Sequence, residues 1–418
     1  MDTAFLVFLV GLTVIASVLV KTLFMRIGIS PIVGYLALGF LIHVSHRMWD
    51  VLFSETVRLF EILALFGIIC LLFRVGIESN IKGLWAQLRS ASLLWFSNII
   101  FSGALGFGVT YHLLHLPLVP SLFVGTALTA TSISVPVAVW DETGAMRTPT
   151  GELLLDVAEM DDISGVVLMA LILTIAPVLE MGNGADLVGP LAKNMVWFFV
   201  KAMGFGAFCF LFSCYAEKPI TDFFRRTEEA PAPMLMVAAV GFLIASLAEL
   251  LGFSLAIGAF FAGLTFSRNP DTVKMEPSFA AIYDFFTPFF FIGVGLTIDP
   301  NMLVDSAYLG LLVLGAAVVG KMLGTMLPAL YKRGVLTATV LGISMVPRAE
   351  IAMVIMKRGR ELGEWAVPSS LFGAIVLVAA ATCLFAPLSL RPLLSRWLNQ
   401  GMESQRPEKS LRGIHRWN

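Results

Sequence analysis

Charge is what this chain has least of. Only 14% of its 418 residues are Asp, Glu, Lys or Arg while 58% are hydrophobic, and that balance calls for lipid rather than a soluble core to cover it. A mean hydropathy of +0.87 makes it a polytopic membrane protein. The 28 basic and 29 acidic residues leave a formal net charge of -1, which gives no basic footprint for a nucleic-acid partner. Cysteine is as scarce. Cys70, Cys209, Cys214 and Cys383 all lie in apolar segments without ligand spacing, so they read as small packing residues and neither a structural metal nor a disulfide is expected. Met1-Asp2-Thr3 lacks the positive region of a secretory signal, so the first apolar stretch is expected to stay as a span. The Gly-rich stretches lie inside apolar segments, outside any strand-turn-helix context, and no nucleotide or other cofactor is expected.

What is abundant is apolar sequence in lengths that match a bilayer. At about 20 residues per crossing, an all-α protein of thirteen spans is expected, near 4–24, 31–45, 57–77, 90–113, 120–140, 152–176, 192–215, 232–251, 253–267, 279–298, 306–330, 335–356 and 367–390. Leu251-Gly252-Phe253 divides the eighth from the ninth. The positive-inside rule supports that division. With the N-terminus outside, eighteen Lys and Arg fall on the inner side and six on the outer. The C-terminus is then cytoplasmic. A single transmembrane unit over 1–390 and a short basic tail over 391–418 leave no soluble regulatory domain.

Short marks repeat along the chain in order. Val33-Gly34-Tyr35-Leu36-Ala37-Leu38-Gly39 in span two resembles Ile257-Gly258-Ala259-Phe260-Phe261-Ala262-Gly263 in span nine. Val75-Gly76-Ile77 parallels Val294-Gly295-Leu296, and Ser134-Val135-Pro136 parallels Met345-Val346-Pro347. Two six-span repeats joined by a seventh span are expected, and an odd linker inverts one against the other. Pro136 and Pro347 follow Thr129-Ala130-Thr131-Ser132 and Gly342-Ile343-Ser344, so spans five and twelve are expected to unwind where they line a cavity.

At that depth span six carries Glu159-Met160-Asp161-Asp162. One charge at the bilayer centre costs about 2.5–3.5 kcal/mol on insertion scales, so two adjacent carboxylates call for a proton or a cation. Lys321 and Arg348 are the remote partners. Burial disfavours a charged carboxylate and a nearby cation favours it, so the two Asp residues can differ in proton affinity. Glu152, Asp156 and Glu159 fall within about 60° of one another on the same helix. They form an acidic stripe read as a cytoplasmic funnel toward the site. Arg74 is read as snorkelling to the inner surface or pairing with Glu78. The His43/His46 and His112/His115 pairs are read as solvated interface residues, and Trp49, Trp95 and Trp197 as interfacial anchors.

In Thr129-Ala130-Thr131-Ser132, Met160-Asp161-Asp162, Gly258 through Leu264, Pro288 through Gly295, Val319-Gly320-Lys321 and Met345 through Glu350, the chain resembles the sodium/proton antiporters of the monovalent cation:proton antiporter-2 family. The resemblance implies a homodimer in which spans one to three and eight to ten (about 1–80 and 232–298) dimerise. Spans four to six and eleven to thirteen (about 90–176 and 306–390) form a moving core with two crossing unwound helices, and the helix at about 192–215 links the halves. It makes Asp162 the main ion and proton carrier, with Thr131 beside the crossing. Lys321 becomes the counter-ion of Asp161, with Arg348 and Glu350 as supporting charges near Ser132, Pro136 and Pro347. It implies electrogenic exchange of Na⁺ or Li⁺ for H⁺ in an inner membrane, not an enzyme activity. A K⁺/H⁺ or potassium-efflux transporter is the alternative, although the double Asp and the missing nucleotide-binding domain depart from the efflux branch. An intramembrane aspartyl protease also needs two buried Asp, and Tyr283-Asp284 matches part of its signature. The Gly-x-Gly-Asp half is absent.

Overall fold

The computed structural model describes residues 3–49, 54–78, 81–132, 134–181, 188–227, 232–267, 277–298 and 300–404. Every regular element among them is helical. The chain begins with α1 (Thr3–Arg26), α2 (Pro31–Trp49), α3 (Ser54–Glu78) and α4 (Ile81–Gly108), the last ending in a wide π turn, Val109–Leu113. The fifth span is two half-helices, α5 (Leu118–Thr129) and α6 (Ser134–Glu142). Next come α7 (Pro149–Met181), α8 (Val188–Leu211), α9 (Glu217–Thr227), α10 (Ala232–Leu250), α11 (Leu255–Phe266), α12 (Pro277–Leu296) and α13 (Pro300–Arg333). The twelfth span is again divided, into α14 (Val335–Ser344) and α15 (Glu350–Leu362), before α16 (Ser369–Ser404). Eight of the described helices are long and apolar enough to cross a membrane, and α5, α10, α11 and α14 are shorter apolar helices. The protein is therefore a multi-pass, all-α membrane protein.

The eighth and ninth spans are separate helices for a local reason. Gly252 has φ +87°, a left-handed conformation that ends α10, and the Ser254 hydroxyl then caps α11 by accepting the Ile257 N–H at 3.3 Å. At the other end α16 continues from Leu390 to Ser404 through Pro387 and Pro392, and 405–418 lie outside the described residues.

The helices pack as two groups. In one, α1 to α3 lie with α10 to α12; in the other, α4 to α7 lie with α13 to α16, and α8 rests on α7 and α11. Glycines set the closest approaches. A methyl group on Gly39 would stand 2.1 Å from the Ile292 carbonyl oxygen and 2.9 Å from the Gly295 Cα, so α2 and α12 touch backbone to backbone. On Gly76 it would stand 2.2 Å from the Phe260 oxygen and 2.9 Å from the Gly263 Cα, which makes the same contact between α3 and α11. A repeat that maps span two on nine and span three on ten must turn the first contact into the second. These four glycines are the ones the sequence marks had paired.

Candidate functional site

The two broken spans meet at their breaks. Ala130 is extended, with φ -69° and ψ 151°, and the Ser132 N–H donates to the Pro347 carbonyl at 2.8 Å, joining one interruption to the other. Pro136 lies in the first turn of α6, where its missing N–H costs nothing, whereas Pro347 lies in the gap before α15. The chain thus presents two carbonyl ends, those of α5 and α14, in the middle of the protein. Such ends carry partial negative charge.

Two buried cations cover them. Lys321, fully buried on α13, donates to the Thr129 carbonyl at 2.5 Å. Arg348, 1% exposed, donates through Nη1 to Ala130 O at 2.6 Å and to Met345 O and Pro347 O at 3.3 Å. The opened carbonyls are therefore held by protein cations, because a buried helix end and a buried cation each satisfy what the other lacks. Arg348 is fixed in turn by its own backbone. Its N–H donates to the Thr382 hydroxyl at 3.0 Å on α16.

Asp161 and Asp162 follow one another on α7, so their side chains leave the helix about 100° apart and meet different surroundings. Asp161 is fully buried, and three donors converge on its Oδ2: Lys321 Nζ at 2.6 Å, Asn98 Nδ2 at 2.6 Å and Thr131 Oγ1 at 2.7 Å. Asp162 is 9% exposed, its charged neighbours are Glu350, Asp161, Glu159 and Lys321, and its Oδ1 is buried without a protein partner. The Oδ1 atoms of Asp161 and Asn98 are likewise unpartnered. Buried oxygens in this state are poised to take a proton, a water or a cation. One carboxylate is thus fastened and its neighbour is not.

Not every residue singled out from the sequence sits as expected. Thr131 lies at the crossing, but its hydroxyl turns to Asp161 and not to Asp162. Ser132 contributes its backbone N–H to the crossing. Glu350 opens α15 at its favourable N-terminal end and lines a cavity of 390 Å³ between the two helix groups, together with Lys21, Val135, Tyr283, Asp284 and Arg391. Of the acidic stripe, Glu152 is exposed in the first turn of α7 and Asp156 and Glu159 are half-buried farther along it. Arg74, partly exposed, pairs with Glu78 at 2.7 Å and lies 4.5 Å above the Tyr283 ring. Trp95 is no interfacial anchor. Its indole N–H reaches the Met160 carbonyl at 3.1 Å and the Ser164 hydroxyl at 3.3 Å, bracing the stretch of α7 that carries both Asp residues.

Asn98 is the principal residue that the sequence did not reveal. Its one signal is a lone amide in an otherwise apolar span. It reaches Asp161 because α4 packs on α7, and α4 also approaches α13 closely: a methyl group on Gly324 would stand 2.7 Å from the Asn98 Cα, and one on Gly320 would stand 2.8 Å from the Ser102 Cα. The Gly320-Lys321-Met322-Leu323-Gly324 spacing is a small-residue seam of the kind that brings membrane helices into backbone contact. The same seam carries Lys321 inward.

Broken helices crossing at mid-protein beside buried carboxylates and cations define an ion-transport protein. The profile of the family described as "Sodium/hydrogen exchanger, transmembrane" matches residues 13–396, and the chain belongs to that family. Its members are transporters and not enzymes. Among curated relatives, the chain is 25% identical over 409 residues to the high-affinity Na⁺/H⁺ antiporter NhaS3 of Synechocystis sp., covering 96% of this chain and 85% of that protein. It is 23% identical over 422 residues to the K⁺/H⁺ antiporter subunit KhtU of Bacillus subtilis, covering 99% and 96%. The fold matches that of the sodium proton antiporter MjNhaP1 from Methanocaldococcus jannaschii, with a TM-score of 0.68 at 17% identity over 96% of this chain and 98% of that one.

Proposed function

We propose that the protein exchanges Na⁺ or Li⁺ for H⁺ at Asp162, with Asp161 and Lys321 as the charge pair that completes the site. The observation that carries this reading is the unequal treatment of two adjacent carboxylates: three donors hold Asp161, while Asp162 keeps a buried, unpartnered oxygen. With Asp161 paired to Lys321 and Arg348 held on the carbonyls of the two breaks, Asp162 is the buried carboxylate of the site whose charge no direct partner offsets. An unneutralised carboxylate is too costly to carry through a low-dielectric barrier. A proton or a metal ion cancels it, and the two compete for it. Coupled counter-transport follows if the site changes sides only when loaded. When Asp161 turns from Lys321 toward a bound ion, the ammonium loses its partner and gives up a second proton, which makes the exchange electrogenic and groups the chain with the double-Asp branch of the monovalent cation:proton antiporter-2 family.

In this reading the group of α4 to α7 with α13 to α16 moves against the group of α1 to α3 with α10 to α12. The second group dimerises with another copy, and the protein sits in an inner membrane with its N-terminus outside and its C-terminus in the cytoplasm. The Na⁺/H⁺ relative supports the ion pair chosen. The relative named as a K⁺/H⁺ antiporter subunit supports a second reading, in which the same pocket carries K⁺. Everted vesicles from cells without endogenous exchangers, loaded with a pH dye, separate the two. Added Na⁺ is expected to alkalinise the lumen, and Asp162→Asn to abolish the response. A response to K⁺ alone supports the second reading, and a full Na⁺ response in Asp162→Asn contradicts both.

A further inference from the structure

We infer that Asn98 is a positioning residue for transport: it holds Asp161 so that one carboxylate oxygen is consumed by protein donors and the other is presented to the ion. The inference rests on the ion-exchange reading above and adds a residue to it. The geometry is specific. Asn98 is fully buried, its Nδ2 lies 2.6 Å from Asp161 Oδ2, and that oxygen also receives Lys321 and Thr131. An ionised carboxylate only accepts hydrogen bonds, so the amide must turn its nitrogen toward Asp161 and its oxygen away. Both Asn98 Oδ1 and Asp161 Oδ1 are then left buried without protein partners.

The three donors come from separate elements: Lys321 from α13, Thr131 from the break after α5, and Asn98 from α4. Two of them belong to a single unit, because α4 and α13 touch at Gly320 and Gly324. The Ser102 hydroxyl further ties down the Asn98 carbonyl at 2.5 Å. Lys321 supplies charge and has a flexible four-carbon stem. Asn98 is short, and its amide sets direction. Without it, Asp161 can rotate on the ammonium and share both oxygens between Lys321 and Thr131, so that Oδ1 is no longer presented beside Asp162. Ion binding suffers first, since the carrier carboxylate and the moving breaks are untouched.

The test is Na⁺-driven proton movement by the full-length protein in proteoliposomes, with KM and kcat separated. Asn98→Ala is expected to raise the Na⁺ KM about tenfold or more, the effect of losing one charge-assisted hydrogen bond, with kcat within about threefold of the parent. Asn98→Leu keeps about the same volume opposite Gly324 and has no donor, so it is expected to raise KM at least as much. Thr110→Ala, beyond the site, where the hydroxyl bonds only to the Gly106 and Phe107 carbonyls of its own helix, is expected to leave KM unchanged. Thermal unfolding in detergent identifies any variant that fails to fold, and Asn98→Leu carries the test if Asn98→Ala does so. An unchanged KM in a folded Asn98 variant, or a fall in kcat at constant KM, overturns the inference. Wild-type protein and Asp162→Asn run alongside: exchange by the first and none by the second keeps the underlying reading standing even when the Asn98 result is negative.

Discussion

Lys321 carries two obligations at once. It neutralises Asp161 at 2.6 Å and closes the carbonyl end of α5 at 2.5 Å, with no exposure to solvent. Truncating one partner of a buried pair leaves the other charge stranded, which costs about 3–5 kcal/mol. Lys321→Ala is therefore expected to destabilise the solubilised protein by about that amount, and adding Asp161→Ala is expected to recover a large part of it. Thermal or denaturant unfolding of the single and double variants measures the coupling; simple additivity contradicts it. At this scale the sequence was informative about charge and silent about direction. Asp161, Asp162, Lys321 and Arg348 stand out because charge is rare in an apolar span. That Thr131 turns to Asp161, and that Lys321 and Arg348 cover the helix ends, depends on which side of each helix faces the crossing. Asn98 escaped notice because an uncharged amide in a span is a weak signal until a carboxylate is placed beside it.

Elements were more legible, because their interruptions are written in residues with fixed backbone effects. Pro136, Pro347 and Gly252 mark the two breaks and the turn between α10 and α11, and the paired glycines mark helix contacts that the structure contains. Less legible was the end of the last helix, which runs past the apolar stretch over 367–390 to Ser404. The glycine contacts make a sharp prediction. Gly39→Ala and Gly76→Ala each place a methyl group at about van der Waals overlap with a backbone oxygen, which cannot move aside as a side chain can. Each is expected to destabilise the protein by about 1–3 kcal/mol or to lower its yield in the membrane. Gly11→Ala, with nothing within 4 Å of the added carbon, is the matched control and is expected to be neutral. Unfolding midpoints of the three purified variants decide it, and equal values contradict the backbone contacts.

At the scale of the whole molecule, two helix groups face each other across the 390 Å³ cavity that Glu350 lines, and the buried carboxylates sit in the group that carries both broken spans. The sequence indicated thirteen spans, an internal repeat and a cavity beside the breaks, but not this cavity's walls, which come from α1, α2, α3, α6, α12, α15 and α16, elements far apart along the chain. The mechanism proposed for this arrangement is competition: a proton and a metal ion contend for the charge on Asp162. The most direct test is the Na⁺ KM of the reconstituted protein at successive pH values. Where the site is largely protonated, competition predicts that KM rises about tenfold for each unit by which pH falls when Asp162 alone gives up a proton, and up to about a hundredfold where Lys321 must give up its own as well, while the maximal rate at saturating Na⁺ stays level. A KM independent of pH, with the maximal rate falling instead, contradicts a shared site.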